Sequence, residues 1–501
     1  MTLRPLHELL LSDVIGNVVA NLPDVGLKIS GLALDSRQVQ PGDAFFALRG
    51  TRDHGIVFAA GAVARGARVV LAETPAPADI SLDVPVLWID NLQAQVGAIA
   101  ARFYGQPSGA LRVVGVTGTN GKTSTVQLLA QALEWLGHRA ATIGTLGAGL
   151  YGQLNDGERT TPDAISVQRL LAEFRDAGAS HVAMEVSSHA LEQGRVGAVG
   201  FEVAAFTNLT RDHLDYHGTM QAYGDAKAKL FGWPNLKTAV INVDDAFGQE
   251  LVTRLSPGAT LLRFSATGDH SADITATTIV TSSEGLAFEL DTPWGSRPIR
   301  SALLGRFNVA NLLAVVGCLG ALGAPFERIV EAAEALQPVN GRMNRLGGSG
   351  NVPLIVVDYA HTPDALEQAL SALRPHCAGR LICVFGCGGE RDAGKRPLMG
   401  AIAARLADIA IVTDDNPRGE DGDAIVAQIV SGMGAATTMS VERDRARAIA
   451  HALTIAEPSD VVLIAGKGHE TYQDGAEGRR PFDDMAVART ALERMTGEAR
   501  A

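Results

Sequence analysis

Alternation is what most constrains this chain: short apolar runs recur between stretches whose apolar residues fall at helical spacing, and glycine or other turn residues mark each change. The clearest case is LRVVGV (residues 111–116), then a glycine-rich turn, then TSTVQLLAQALEWLG (123–137), whose apolar residues keep one helical face and stop at Gly137. HVAMEV (181–186), VAAFT (203–207) and TAVIN (238–242) repeat the strand signal, with helical stretches between them. Strands joined through helices pair in parallel, since a tight hairpin cannot link parallel neighbours. The fold class expected is α/β.

At about 150 residues per domain, 501 residues make two to four domains. Residues 1–108 carry short mixed elements and end in the linker-like GQPSGA (105–110). A second boundary falls within QPVNGRMNRLGGSGN (337–351), after which PLIVVDY, RLICVFG, DIAIVTD and DVVLIAG alternate with helical stretches following Pro363, Arg396, Asp423 and Asp444. Three domains result, 1–108, 109–338 and 339–501. The uncharged stretch 307–326 has the length of a membrane span, but Asn308, Asn311 and its glycines make it a buried helix.

Lys and Arg number 43 against 55 Asp and Glu, a net charge of −12, so no basic field draws a nucleic-acid backbone or an anionic membrane. Neither is expected as a partner. The four cysteines form no CxxC and no His/Cys metal spacing, as in a chain kept reduced, and Asp13 interrupts the apolar start without a cleavage pattern after it. A cytoplasmic location is expected.

GVTGTNGKTS (115–124) lies between strand and helix. Small residues let backbone N–H groups wrap an anion, Lys122 adds a point charge, and the Thr123 hydroxyl is placed to reach Mg²⁺. A nucleoside triphosphate is the natural ligand, although Val116 replaces the first glycine of the strict pattern. GCGGERDAGKRP (386–397) also follows a strand and is no dinucleotide fingerprint, since Arg391 stands where the third glycine belongs. In TDDNPRGE (413–420), Asp415 suits an ammonium and Arg418 a carboxylate, although Asp-Asn-Pro is equally good turn chemistry. His213 and His217 have zinc-like spacing, but Leu214 stands where HExxH has glutamate, so the oxygen ligands of Mg²⁺ fit better, with Glu185 the nearest carboxylate in fold order. Ser187 and Ser188 lack a GxSxG elbow.

Taken in order, LDSR (34–37), GTNGKT (118–123), TTPD (160–163), EVSSHAL (185–191), TNLTRDHLDYHGT (207–219), DYAHTPDAL (358–366), GCGGERDAGKRP, DDNPRGE and GKGHE (466–470) closely resemble the Mur ligases over nearly the whole chain. The resemblance implies a mixed α/β N-terminal UDP-binding domain, a central P-loop ATPase-like parallel-sheet domain and a C-terminal Rossmann-like domain for an amino acid. It implies an ATP-dependent ligase of peptidoglycan precursor synthesis, adding meso-diaminopimelate to UDP-N-acetylmuramoyl-L-alanyl-D-glutamate through an acyl phosphate. It departs at Arg159 and Asn344, where relatives commonly carry Asn and an acidic residue.

Carried over residue by residue, the resemblance assigns Thr117, Gly118, Thr119, Asn120, Gly121, Lys122 and Thr123 to ATP, with Asn308, Asn311, Arg342 and Asp358 as further nucleotide contacts. Thr123, Glu185, His213 and Lys227 serve Mg²⁺, Lys227 as a carboxylated lysine; Lys122, Glu185, His213 and Lys227 form the catalytic set. Leu34, Ser36, Thr51, Arg52 and Asp53 line the uridine site, and Thr160, Thr161, Ser187, Gln193 and Arg195 hold the muramoyl dipeptide. Arg391, Asp415, Asn416, Pro417, Arg418, Gly466 and Glu470 hold diaminopimelate, Arg418 on the distal carboxylate that lysine lacks. A monomer is expected. Three other readings stay open: folylpolyglutamate synthesis, against which LDSR and DNPR argue; a murein tripeptide-recycling ligase, in which free tripeptide replaces the amino acid as acceptor; and a nucleotide-driven switch that makes no bond.

Overall fold

The computed structural model describes residues 3–10, 27–50, 53–75, 81–157, 159–434 and 438–497. They form two compact units, Met1–Arg263 and Phe264–Ala501.

The first unit opens with a four-stranded parallel sheet, β1 (Gly31–Ala33), β2 (Asp43–Ala47), β3 (Val69–Glu73) and β4 (Val86–Ile89), paired in sequence order. Its period-two side chains feed two cores. Ala44 and Phe46 pack with Val96, Ile99 and Ala100 of helix α1 (Leu92–Phe103), while Phe45 and Ala47 face Ile56, Ala59 and Ala62.

The central sheet contains β5 (Arg112–Thr117), β6 (Ala140–Gly144), β7 (Gly147–Leu150), β8 (Gln153–Asn155), β9 (His181–Glu185), β10 (Phe201–Phe206), β11 (Thr238–Asn242) and β12 (Thr260–Ser265), in the order β8-β7-β6-β9-β5-β10-β11-β12. Strand β5 runs parallel to both β9 and β10. Thr117, Glu185 and Phe206 therefore end their strands side by side, at the carboxyl edge where open α/β sheets bind ligands. Helix α2 (Lys122–Trp135) follows β5 with only a short loop between, and α3 (Ala164–Asp176) starts under an Asp163 cap that accepts from Ile165 and Ser166 N–H. Helix α4 (Ser188–Glu192) follows β9, and α5 (Leu214–His217) and α6 (Met220–Ala228) follow β10.

In the second unit, β13 (Ile274–Ser282), β14 (Gly285–Thr292) and β15 (Gly295–Ser301) form an antiparallel ribbon that the sequence reading did not anticipate. Its turns at Ser-Glu-Gly and Pro-Trp-Gly were the available signal. The uncharged stretch 307–326 divides into α7 (Phe307–Ala321), a turn at Gly323, and the start of α8 (Phe326–Ala335). No helix among the described residues is long and apolar enough to cross a membrane.

The second sheet of this unit comprises β16 (Asn344–Gly347), β17 (Leu354–Asp358), β18 (Leu381–Phe385), β19 (Ile409–Val412), β20 (Met439–Val441) and β21 (Val461–Ala465), ordered β16-β17-β21-β18-β19-β20 and parallel except at β16. Leu354, Val356, Cys383 and Leu463 pack toward α9 (Pro363–Leu373), α10 (Lys395–Leu406) and α11 (Gly422–Ser431); Ile355, Val357, Val384 and Ile464 pack toward α12 (Arg445–Ile455) and α13 (Asp484–Thr496). Both faces are covered, which is why these strands read as continuous apolar runs. The hairpin β22 (Tyr472–Gly475) and β23 (Gly478–Pro481) follows β21.

Candidate active site

Between β5 and α2 the chain folds as an anion loop. Gly118 has φ +151° and Gly121 φ +84°, and a Cβ on Gly118 would lie 1.9 Å from Thr207 Oγ1, so only glycine fits there. Lys122 Nζ donates to the carbonyls of Gly118 (3.0 Å) and Thr119 (2.9 Å). Thr207 and Asn208 brace the loop from the end of β10: Thr207 Oγ1 donates to Asn120 O (2.6 Å), and Asn208 Oδ1 accepts from Asn120 N–H (2.9 Å). The Thr117 hydroxyl is buried.

Glu185, 1% exposed at the end of β9, faces this loop. Its carboxylate accepts from Thr123 Oγ1 (3.0 Å), Thr145 N–H (2.7 Å) and Thr145 Oγ1 (3.3 Å). Burial raises its pKa, and the charge of Lys122 opposes that rise. A Cβ on Gly144 would sit 2.3 Å from Glu185 Oε1, so any side chain there displaces the carboxylate.

Lys227, on α6 and 1% exposed, donates to the same Gly118 carbonyl at 2.8 Å and lies 4.3 Å from the centre of the Tyr223 ring. Burial, reinforced by the charge of Lys122, brings its pKa down to about 6. His213 adopts φ +51° before α5, with Nε2 3.5 Å from Asp212 Oδ2 and its ring 4.8 Å from that of His189. His217 Nε2 meets Ser188 Oγ at 3.0 Å. Among the described residues no three His, Cys, Asp or Glu side chains gather as a metal cluster.

Thr160, Thr161, Ser187, Gln193 and Arg195 converge beside Glu185. Thr161 Oγ1 donates to Glu185 O (2.7 Å) and accepts from Ser187 N–H (3.2 Å); Arg195 Nη1 donates to Thr161 O (3.0 Å) and Nε to Gln193 Oε1 (2.9 Å); Thr160 and Thr145 hydroxyls meet at 3.0 Å. Leu34, Ser36 and Asp53 line a cleft of about 1530 Å³ along with Asp156 and Arg159. Thr51 and Arg52 lie outside the described residues.

The remaining candidates belong to the second unit. Asn308 and Asn311 are buried on α7, where Asn308 Nδ2 donates to Leu304 O (2.7 Å) and Asn311 Nδ2 to Asn308 Oδ1 (2.8 Å). Asp358 accepts from Met343 N–H (2.8 Å) and Ala360 N–H (2.9 Å), and Arg342 stacks over Tyr359. Burial raises the Asp358 pKa.

After β19, the turn carrying Asp415, Asn416, Pro417 and Arg418 meets the ends of β18 and β21. Arg418, at φ +51°, donates from Nη1 to Gly389 O (2.8 Å) and lies 3.7 Å from the Asp474 carboxylate. Glu470 accepts from Asn416 Nδ2 at 3.0 Å, and Gly466 turns the chain beside Asp415 at φ +123°, a conformation that favours glycine. Arg391 is exposed on the neighbouring loop. Sequence reasoning missed Thr145, Thr207 and Asn208 around the anion loop, and Lys467, Arg396 and Glu420 around this cradle. The motifs containing most of them were visible; their partners lie tens of residues away, which no local pattern reveals.

An anion loop with its buried carboxylate, and a Rossmann-like unit with a cradle of charged and amide side chains, are parts that an ATP-dependent ligase of amide bonds requires. The family models agree: Mur ligase family, catalytic domain, matches residues 28–104, Mur ligase middle domain 116–319, and Mur ligase, glutamate ligase domain 341–468. The chain belongs to the Mur ligase family. It is 57% identical over 480 residues to a UDP-N-acetylmuramoyl-L-alanyl-D-glutamate--2,6-diaminopimelate ligase of Xanthomonas campestris pv. campestris, covering 95% of this chain and 97% of that one. A Xylella fastidiosa protein of the same name is 54% identical over 481 residues, with coverage of 95% and 97%. A solved structure of such a ligase superposes with TM-score 0.75 at 38% identity, over 94% of this chain and 96% of the other.

Proposed function

We propose that the protein joins meso-diaminopimelate to the D-glutamate γ-carboxylate of UDP-N-acetylmuramoyl-L-alanyl-D-glutamate, with ATP as co-substrate, in peptidoglycan precursor synthesis. The observation that carries this reading is the second unit's cradle, where Asp415 and Glu470 offer charge to an ammonium and Arg418 offers a guanidinium to a carboxylate, the two ends of a dipolar amino-acid group. The relatives' names support the same substrates.

A carboxylate is a poor acyl donor until one oxygen becomes a leaving group. In the first step a γ-carboxylate oxygen attacks the γ-phosphorus of ATP, the bond to the bridging oxygen breaks, and ADP leaves an acyl phosphate. In the second the free amine attacks the acyl carbon, loses a proton and expels inorganic phosphate. Loop N–H groups from 117 to 123 and Lys122 neutralise the transferring phosphoryl group. Thr160, Thr161, Ser187, Gln193 and Arg195 position the dipeptide, and Leu34, Ser36, Thr51, Arg52 and Asp53 the uridine end. Asn308, Asn311, Arg342 and Asp358 complete the nucleotide contacts, and Arg391, Asn416, Pro417 and Gly466 the cradle.

The hard oxygen donors Thr123 Oγ1 and Glu185 suit Mg²⁺, and the carboxylate's desolvation would be relieved by a cation beside it. Bound there, Mg²⁺ would supply charge neutralisation for the phosphates. A pKa of about 6 leaves Lys227 a neutral amine at pH 7, the form that adds CO₂ to give a carbamate, and a carbamate there would provide a second set of oxygen ligands, with His213, whose ring also meets Tyr223, as the proposed further ligand. We place the domain boundaries at 1–108, 109–338 and 339–501, in keeping with the spacing of the family matches, and expect a cytoplasmic monomer.

The test is phosphate release with ATP, Mg²⁺ and UDP-N-acetylmuramoyl-L-alanyl-D-glutamate, comparing meso-diaminopimelate, L-lysine and no amine. Turnover confined to diaminopimelate is expected. Equal turnover without any amine would replace the ligase with a nucleotide-driven switch.

A further inference from the structure

Lys467 is 0% exposed, directly after β21, and its ammonium is fully engaged. Nζ donates to Asn416 Oδ1 (2.7 Å) and Tyr472 O (2.7 Å), lies 3.4 Å from Glu470 Oε2 and 3.6 Å from Asp415 Oδ1. Asn416 is committed in turn: its Oδ1 also accepts from Asp474 N–H (2.9 Å), and its Nδ2 donates to Glu470 Oε2 (3.0 Å). An amide oxygen has two acceptor sites and both are filled, so Asn416 offers a ligand at most one N–H. The other buried cations nearby are paired elsewhere, Arg445 bidentately with Asp484 at 2.8 and 2.7 Å and Arg396 with Glu420 at 2.6 and 2.7 Å. Lys467 is thus the ammonium that the two cradle carboxylates share.

We infer that Lys467 is a positioning residue that sets the amino-acid specificity of the cradle: by neutralising one of the two carboxylates Asp415 and Glu470 and locking the Asn416 amide, it fits the pocket to an ammonium accompanied by a carboxylate rather than to a bare ammonium. This rests on the cradle being the amino-acid site. Asp474, 3.7 Å from Arg418, is matched by Arg479 at 3.8 Å, so two carboxylates and one lysine leave one unbalanced negative charge, which one substrate ammonium satisfies, while Arg418 takes the adjoining carboxylate. Without Lys467 the cradle holds one negative charge more than a dipolar end matches. A side chain ending in an ammonium alone, as in lysine, then supplies the better balance. Lys467 has no exposed surface, so it acts only through Asp415, Asn416 and Glu470.

The experiment is steady-state kinetics of the full-length protein with meso-diaminopimelate and L-lysine. Lys467→Met keeps the chain's bulk and removes the charge. It is expected to lower the ratio of kcat/KM for diaminopimelate over lysine by about tenfold, as one charge-assisted contact in a desolvated pocket would, mainly through KM for diaminopimelate. Lys467→Met combined with Glu470→Gln restores the charge count and is expected to recover the ratio in part while total activity falls further. Equal losses for both amino acids in Lys467→Met, with no recovery in the double variant, would make Lys467 a packing residue and overturn the inference. If Lys467→Met does not fold, Glu470→Gln alone decides: its ratio rises if charge balance sets specificity and stays unchanged if it does not. A wild-type protein that turns over neither amino acid would instead overturn the assignment of the cradle.

Discussion

Lys227 shows how a single buried side chain couples pH to stability. Folded, it releases its proton near 6, whereas the unfolded chain keeps it up to the ordinary lysine value of 10.5. Between these values the unfolded state binds more protons, so stability rises with pH, with a slope of up to about 1.4 kcal/mol per pH unit. Below pH 6 the folded protein must bury the charged form and this stabilisation is gone. Lys227→Met removes the slope. In CO₂-free buffer the variant is expected to melt above wild type at pH 6, with the gap shrinking as pH rises to 9, while its ligase activity is lost. A gap that does not change with pH would mean that Lys227 stays charged in the folded protein. Sequence supplied the position of Lys227 through its family motif; the burial that lowers its pKa comes from the packing of α6 against the anion loop, which the sequence does not reveal.

At the scale of elements, the cradle depends on two loops held as one piece. Arg396, 1% exposed at the start of α10, makes paired bonds to Glu420 (2.6 and 2.7 Å) and donates to Gln428 Oε1 (2.8 Å) and Gly388 O (3.2 Å). Glu420 in turn accepts from Glu390 N–H (3.0 Å), and Gly389 N–H bonds Asn416 O at 2.9 Å. The guanidinium holds the Glu420 carboxyl down to about 2, so the pair stays charged across any working pH. Because Arg418 rests on Gly389 O, its place depends on a loop that this pair anchors. Arg396→Met is expected to raise KM for the amino acid by about tenfold with KM for ATP unchanged, as expected of a positioning residue lost behind a binding group. Kinetics with each substrate varied in turn checks it, and a matching rise in KM for ATP would refute the local role.

The strand and helix alternation that located these loops was legible because strands covered on both faces are uninterrupted apolar runs, as in β17, β18 and β21. The ribbon β13–β15 escaped because its exposed face alternates Thr, Ser and charged residues, which dilutes the apolar signal. In the site, the glycine–lysine–threonine order and the DNPR turn could be read directly. Lys467 and Arg396 could not: a lysine or arginine in a glycine-rich charged loop reads as exposed, and their burial is set by the Asn416 amide and the Glu420 carboxylate, brought in by the loop after β19.

At the scale of the whole molecule, the ligands are assigned unequally to the two compact units. The candidates for the UDP-peptide, from Leu34 to Arg195, belong to the first unit, and those for diaminopimelate, from Arg391 to Glu470, to the second; those for ATP fall in both. A ligand that binds only folded protein stabilises the unit that holds it, by about 2.7 kcal/mol at a hundred times Kd. Chains of this length commonly unfold in more than one step. Calorimetry is therefore expected to resolve separate transitions, with UDP-N-acetylmuramoyl-L-alanyl-D-glutamate raising one and meso-diaminopimelate the other. A single transition shifted equally by both would mean that the units unfold as one body, and a diaminopimelate shift on the same one of two transitions as the UDP-peptide would move the amino-acid site out of the second unit.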